Sequence, residues 1–233
     1  MRKTFQSNNN KFLIISNEEK DLNFRNSDVD GIIFIDKIEN NVVFFDLFNI
    51  DGSRAEVSGN GLACLTLFVS NILQFKEYKM VNSFFNNVRY FYTRINGNEV
   101  WVGFDMSNID FQELVFNSEK GYILNIPNPH FVLPVFNIPP MMAREKAKKL
   151  FDNFKRKVNV HVLDVTKMYM YTFERGVGWT DSCGSGTIAC AYVYNKFLSS
   201  YHKHSLTISS KGGDIKVLIT ENFYWISTYP KEI

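Results

Sequence analysis

The sequence predicts an α/β (α+β) fold in which two β-rich halves each form a sheet or barrel around one central helix. The first observation is a duplicated stretch. Cys183-Gly184-Ser185-Gly186-Thr187-Ile188-Ala189-Cys190-Ala191 reads as a tight glycine turn opening a helix, and Ser58-Gly59-Asn60-Gly61-Leu62-Ala63-Cys64-Leu65 repeats that layout, with positions 58 and 183 lying 125 apart. Secondly, the register holds upstream at the same offset, where Phe48-Asn49 falls on Phe173-Glu174. Thirdly, a β-rich run precedes each turn, Val42 to Ile50 and Met168 to Phe173. Strand, loop, glycine turn and helix are built twice in one chain.

In chain order, Thr4-Phe5 and Phe12 to Ile15 flank a polar Ser7-Asn8-Asn9-Asn10 turn and predict strand-turn-strand. Asn17 to Asn26 is polar, either a loop or a short helix. Gly31 to Ile35 and Asn41 to Leu47 predict strands on either side of a charged turn. The first helix is expected from Asn60 to about Leu73, with Leu62, Leu65, Phe68, Val69 and Leu73 on one apolar stripe. From Lys79 to Met106 the pattern turns to short alternating strands, with Asn96-Gly97 as a hairpin signal.

Residues 107–120 are polar with scattered apolar anchors, and the domain boundary is expected there, giving halves 1–112 and 113–233 with the last strand free to return to the first half. Asn128-Pro129-His130 makes a bend before a strand at Phe131 to Val135, and Pro139-Pro140 announces a helix from Met141 to Phe154. Val158 to Leu163 alternates as a strand. The second motif helix is expected over Thr187 to Leu198. Ser205 to Ser209, a Gly212-Gly213 turn, and strands at Ile215 to Ile219 and Phe223 to Ile226 complete the chain.

Composition narrows the functional classes. The 22 Phe and 11 Tyr among 233 residues give ample material for a core, in one large domain or two of ordinary size. With 26 basic and 24 acidic residues the net charge is +2, so neither nucleic acid nor an acidic membrane surface is an expected partner. The short basic run Arg144 to Lys149 reads as a solvated helix face. Three Cys are too few, and odd in number, for a disulfide framework, and no Cys-x-x-Cys or His-x-x-x-His spacing points to a metal. The N-terminus lacks the apolar run of a signal peptide and no span reaches membrane length, so a cytoplasmic protein is expected.

A Gly-x-Gly turn at a helix start leaves several backbone N–H groups pointing at one spot, and glycine lets the backbone come close to a ligand. Such a spot attracts an anion, and the helix dipole favours the thiolate of a Cys held there. For either copy alone, the turn could simply start a helix. Two copies in matched register favour a shared site that clamps one small carboxylate.

The residues Phe48-Asn49-Ile50-Asp51-Gly52-Ser53, followed by Ser58-Gly59-Asn60-Gly61-Leu62-Ala63-Cys64, resemble the first motif of the diaminopimelate epimerase family. Glu174-Arg175-Gly176-Val177-Gly178-Trp179-Thr180-Asp181-Ser182-Cys183-Gly184-Ser185-Gly186 resembles its second, and Asn128-Pro129-His130 a third. Its opening motif falls on Ser7 to Phe12, keeping Asn10 and Phe12 and losing both glycines. The likeness covers most of the chain. It implies two pseudo-symmetric α/β domains with the active site in the interdomain cleft. It also implies an isomerase of lysine biosynthesis that interconverts LL- and meso-diaminopimelate by two-base proton transfer, with no cofactor and no metal. Family members often pair, which leaves a homodimer open.

Carried over residue by residue, the resemblance makes Cys183 one base and puts Ser58 in the place of the other. It assigns Gly59, Asn60, Gly184 and Ser185 to the substrate carboxylate, and Asn10 to the substrate side. Asn49, Asn128, Asn159, Glu174 and Arg175 fall to the distal amino-acid group, with Arg175 on its carboxylate and Glu174 on its ammonium. Retention of all five residue types makes diaminopimelate the leading substrate. A racemase for another amino acid, such as histidine, and a catalytically silent binding homologue are the alternatives.

Ser58 departs from the family, whose residue there is Cys. A hydroxyl does not ionise where a thiol does, so Ser58 is a poor second base. Three explanations stand open: an introduced substitution that traps ligand, a natural one-base protein, or help from another group such as Cys64 or His130. Cys64 lies nearly two turns into the helix, too far along it to reach the α-carbon.

Overall fold

The computed structural model describes residues 1–16, 28–83 and 90–233. It divides into two compact units: Met1–Phe104 together with Ser227–Ile233, and Asp105–Ile226. The expected loop or short helix over Asn17 to Asn26 lies outside the described residues.

In the first unit, β1 (Arg2–Ser7) and β2 (Asn10–Ser16) form an antiparallel hairpin. Its two-residue turn, Asn8-Asn9, has φ of 46° and 67°, the left-handed pair that a tight hairpin needs and that Asn tolerates. Next come β3 (Gly31–Glu39), parallel to β2, and β4 (Val42–Asn49), antiparallel to β3. Helix α1 (Gly59–Ser70) then crosses to β5 (Glu77–Asn82), which runs parallel to β4. Finally β6 (Tyr90–Asn96) and β7 (Glu99–Asp105) extend the sheet through antiparallel pairings, the second turning at Gly97 as expected.

Helix α1 packs against β1, β2, β3 and β6, so strands from both ends of the sheet cover it. The expected single apolar stripe is therefore too narrow a description. Gly59 to Thr66, Phe68 and Val69 are all buried, and the helix carries no charged residue. A helix apolar all round belongs inside rather than on a face.

The second unit repeats this plan. Strands β8 (Phe111–Phe116), β9 (Glu119–Ile126) and β10 (Asn128–Val135) run antiparallel in succession. Helix α2 (Pro140–Asn153) leads to β11 (Asn159–Asp164), parallel to β10, and β12 (Tyr169–Glu174) pairs antiparallel with β11. A short β13 (Gly178–Thr180) folds back on β12 before helix α3 (Gly184–Val193), which runs on as a wider π-helical turn over Tyr194–Leu198. Strand β14 (Ser205–Ser210) returns parallel to β12 and pairs antiparallel with β15 (Gly213–Ile219). β16 (Phe223–Thr228) follows, and β17 (Lys231–Glu232), which belongs to the first unit, pairs there with β1.

All ten residues of α3 are buried, and strands β9 to β12, β14 and β15 surround it. By contrast, α2 buries only Ala143, Ala147, Leu150 and Phe151, one face of an amphipathic helix. In each unit the buried helix links the second of an antiparallel strand pair to a parallel neighbour, β4 to β5 and β12 to β14. Among the described residues no helix is long and apolar enough to cross a membrane.

Strand β8 was not foreseen, nor were the short β13 and β17. Residues 107–120, read as a polar stretch, contain β8 and its turn, where Asn117 and Ser118 take φ of 48° and 66° without a glycine. Leu114 and Phe116 pack on the core cluster of Phe131, Leu133 and Phe151. The same cluster depends on Gly121 of β9, where an added Cβ would lie 2.2 Å from the Phe131 ring. Phe131 is fully buried and has little room to yield. Gly121→Ala is therefore expected to cost about 1–3 kcal/mol by overpacking, read as a lowered midpoint in denaturant unfolding.

Candidate active site

The two helix starts are built alike. Ser58 caps α1 with φ −139° and ψ 118°, and Cys183 caps α3 with φ −138° and ψ 109°. Ser58 Oγ accepts from the Gly61 amide at 3.1 Å, and Cys183 Sγ from the Gly186 amide at 3.3 Å. These side-chain acceptors satisfy one first-turn donor in each helix. Among the described residues, the preceding amides of Gly59, Asn60, Gly184 and Ser185 have no protein acceptor. Each start thus offers two convergent N–H donors suited to a carboxylate.

In the first unit, Asn60 is buried beside the cap. Its amide donates to Asn10 Oδ1 at 2.6 Å and accepts from Asn8 Nδ2 at 3.1 Å. Asn49 ends β4 and instead donates to Ser53 Oγ at 3.0 Å, within the turn that Asp51 and Ser53 close. Cys64 is fully buried within α1, and burial pushes its thiol far up. It stays a neutral thiol inside the helix, which removes it as an assisting base.

The second unit is more polar. The Cys183 thiol donates to Glu174 Oε2 at 3.0 Å, while Thr180 Oγ1 donates to Glu174 Oε1 at 2.5 Å. Ser185 Oγ lies 3.7 Å from Sγ. At the helix start the Gly186 amide does favour the thiolate, but larger effects act against it. Burial pushes the Cys183 thiol well up, and the negative charge and hydrogen bond of Glu174 push it further, outweighing the lowering by the Gly186 amide and Ser185. Cys183 is a protonated thiol held by a carboxylate.

Beneath it, four buried side chains form a chain of hydrogen bonds. Asn128 Oδ1 meets His130 Nε2 at 2.7 Å, His130 Nδ1 meets His161 Nε2 at 2.8 Å, and His161 Nδ1 meets Thr172 Oγ1 at 2.8 Å. One proton arrangement satisfies every contact with both rings neutral: Thr172 donates to His161, His161 to His130, and His130 to Asn128. Burial holds both imidazoles below their ordinary range, His161 at about 3. Parallel pairing of His130 with Asn159 and antiparallel pairing of His161 with Thr172 put these residues on one face. Gly186 lets that face reach the helix start, since a Cβ there would lie 2.3 Å from the His161 ring. Asn159 Oδ1 also accepts from the Arg175 amide at 2.9 Å, holding Glu174-Arg175 in place.

Residues 122–230 match the family model described as Diaminopimelate epimerase. The diaminopimelate epimerase of Methanopyrus kandleri is 27% identical over 201 residues, covering 82% of this chain and 67% of that protein. That of Leptospira biflexa is 28% identical over 231 residues, covering 88% and 82%. The chain is similar to diaminopimelate epimerases over most of its length. Two solved structures share the fold across 100% of the chain: a predicted epimerase from Pseudomonas aeruginosa (TM-score 0.74, 11% identity, 96% of that chain) and a hydroxyproline epimerase from Agrobacterium vitis (0.68, 11%, 90%).

Of the residues that the resemblance to diaminopimelate epimerases singled out, the structure brings Asn10 to Asn60 in the first unit. In the second it brings Glu174 and Ser185 to Cys183, and Asn159 to Arg175. Asn128 is bound to His130. Sequence reasoning missed His161, Thr172 and Thr180. A signal for the first was present: Asn128-Pro129-His130 and Asn159-Val160-His161 both read Asn-x-His, which on adjacent strands puts both pairs on one face.

Two outcomes follow. Glu174→Gln removes the charge that raises the Cys183 thiol, so the pH profile of Cys183 alkylation, followed by peptide mass spectrometry, is expected to move to lower pH. Cys64 and Cys190 are 0% exposed against 4% for Cys183 and should be modified more slowly. The two neutral histidines stabilise the fold above their ordinary pKa of 6.5, because below it the unfolded chain binds protons that the folded chain does not. Unfolding free energy should fall by about 1.4 kcal/mol per pH unit for each histidine below that point, and His161→Asn should reduce the slope.

Proposed function

We propose that the chain is a cofactor-independent amino-acid epimerase of the diaminopimelate type, in which Cys183 exchanges the α-proton. The observation that carries this is the capping thiol of Cys183, bonded to Glu174 and flanked by the amides of Gly184 and Ser185. In this reading those amides hold the substrate carboxylate. As the α-carbon loses its proton, negative charge grows on that carboxylate, so the amides stabilise the transition state more than the ground state.

Glu174 supports a way to time the ionisation of the sulfur. A substrate ammonium that pairs with Glu174 withdraws both the hydrogen bond and the negative charge that keep Cys183 protonated. The thiol then ionises more readily once substrate is bound. Asn49, Asn128, Asn159, Glu174 and Arg175 keep the residue types that a second amino-acid group requires, which favours diaminopimelate over a smaller amino acid.

Ser58 limits the reaction. Its hydroxyl caps α1 as Cys183 caps α3, yet a hydroxyl is a weak proton carrier near neutral pH. This supports an enzyme that exchanges a proton readily through Cys183 and inverts the centre slowly. In deuterated water the protein is expected to exchange the α-hydrogen of diaminopimelate, with Cys183→Ala abolishing exchange. Ser58→Cys is expected to raise inversion by roughly 10²–10⁴-fold. If Ser58→Cys produces no inversion, the chain is not an epimerase of this type.

A further inference from the structure

Three atoms of metal-ligand type meet in the second unit: one ring nitrogen each of His130 and His161, and Cys183 Sγ, all lie within 4.8 Å of one another. They come from β10, β11 and the cap of α3, so no short spacing in the sequence announces them. Two nitrogens and one sulfur form a donor set that suits zinc and leaves a fourth tetrahedral position open.

The surroundings of the rings are those of metal-bound histidines. In such sites the ring nitrogen away from the metal is held by an oxygen, which fixes the ring plane and aims the other nitrogen. Here His130 Nε2 is held by Asn128 Oδ1 and His161 Nδ1 by Thr172 Oγ1. The inner nitrogens face each other at 2.8 Å. Zinc bonds to nitrogen of about 2.05 Å in a tetrahedron set two such nitrogens roughly 3.3 Å apart, so the rings need part by only about half an ångström. Both imidazoles are fully buried, which keeps the site apart from bulk water.

We propose that His130, His161 and Cys183 form a binding site for one zinc-type divalent cation, and that its occupation withdraws the Cys183 sulfur from proton transfer. On binding, Sγ leaves Glu174 and bonds the metal as a thiolate. Its proton passes to the Glu174 carboxylate and on to solvent. The proton on His161 Nε2 moves to Nδ1, and the Thr172 hydroxyl turns from donor to acceptor. One proton is released for each metal bound. Metal binding does not rest on the epimerase reading; only the inhibitory consequence does.

Cobalt(II) added to chelator-treated, reduced full-length protein is expected to bind one ion per chain with a thiolate-to-cobalt charge-transfer band that zinc displaces. His161→Ala and Cys183→Ser should each weaken binding at least about tenfold. Cys190→Ala, at a buried thiol outside the cluster, should leave it unchanged. On the unaltered protein, zinc should protect Cys183 from alkylation, which needs no variant to fold. Absence of the sulfur band in the unaltered protein, its survival in His161→Ala, or alkylation of Cys183 at the same rate with zinc present would each overturn the proposal. If α-hydrogen exchange is absent while the band and the protection appear, the metal site stands and the epimerase reading falls.

Discussion

Two helices without a single charged residue are enclosed by strands, and the amides at their first turns cannot all be left to water. A buried helix start must find acceptors inside the protein. Ser58 and Cys183 each supply one, through caps whose backbone angles agree within about ten degrees. The atom that completes the fold at each helix start is also the atom that can carry a proton. Its position is therefore tied to the helix rather than to a free rotamer. Two more amides at each start lack a protein acceptor among the described residues.

The two units apply one plan with different side chains. On matching strands, Phe12 stands where the second unit has His130, and Gly31 pairs with Phe12 as Asn159 pairs with His130. Asn49 ends β4 as Glu174 ends β12. The first unit thus surrounds its cap with amides and a phenyl ring, whereas the second has a carboxylate and two imidazoles. The pKa of the second cap follows from this difference. Burial and the neighbouring Glu174 carboxylate push that thiol up, and the hydrogen bond from the Gly186 amide does not reverse this.

Much of the fold was legible locally. The Gly-x-Gly turns announced both buried helices, Asn96-Gly97 announced its hairpin, and Pro139-Pro140 announced α2. Strand β8 was not legible, because its apolar residues are spread among charges and its Asn117-Ser118 turn lacks glycine. The stripe expected on α1 proved to be burial on nearly all sides, since periodicity within a helix does not reveal how many strands will cover it. At the candidate site, the family resemblance singled out Ser58, Cys183, Glu174 and the asparagines, while His161 passed as one residue of an alternating strand.

By itself the sequence determined the duplication, the two caps, the residue types around them and a hydroxyl at position 58 where position 183 has a thiol. Those are properties of neighbouring residues and fixed offsets, and they survive without knowledge of the fold. Only the tertiary structure decided which charges and rings face each sulfur. That depends on strand pairing across 31 residues between His130 and His161, and on a carboxylate nine residues before the thiol it binds. Burial sets the strength of each interaction, and burial is a property of the whole packed unit rather than of any stretch within it.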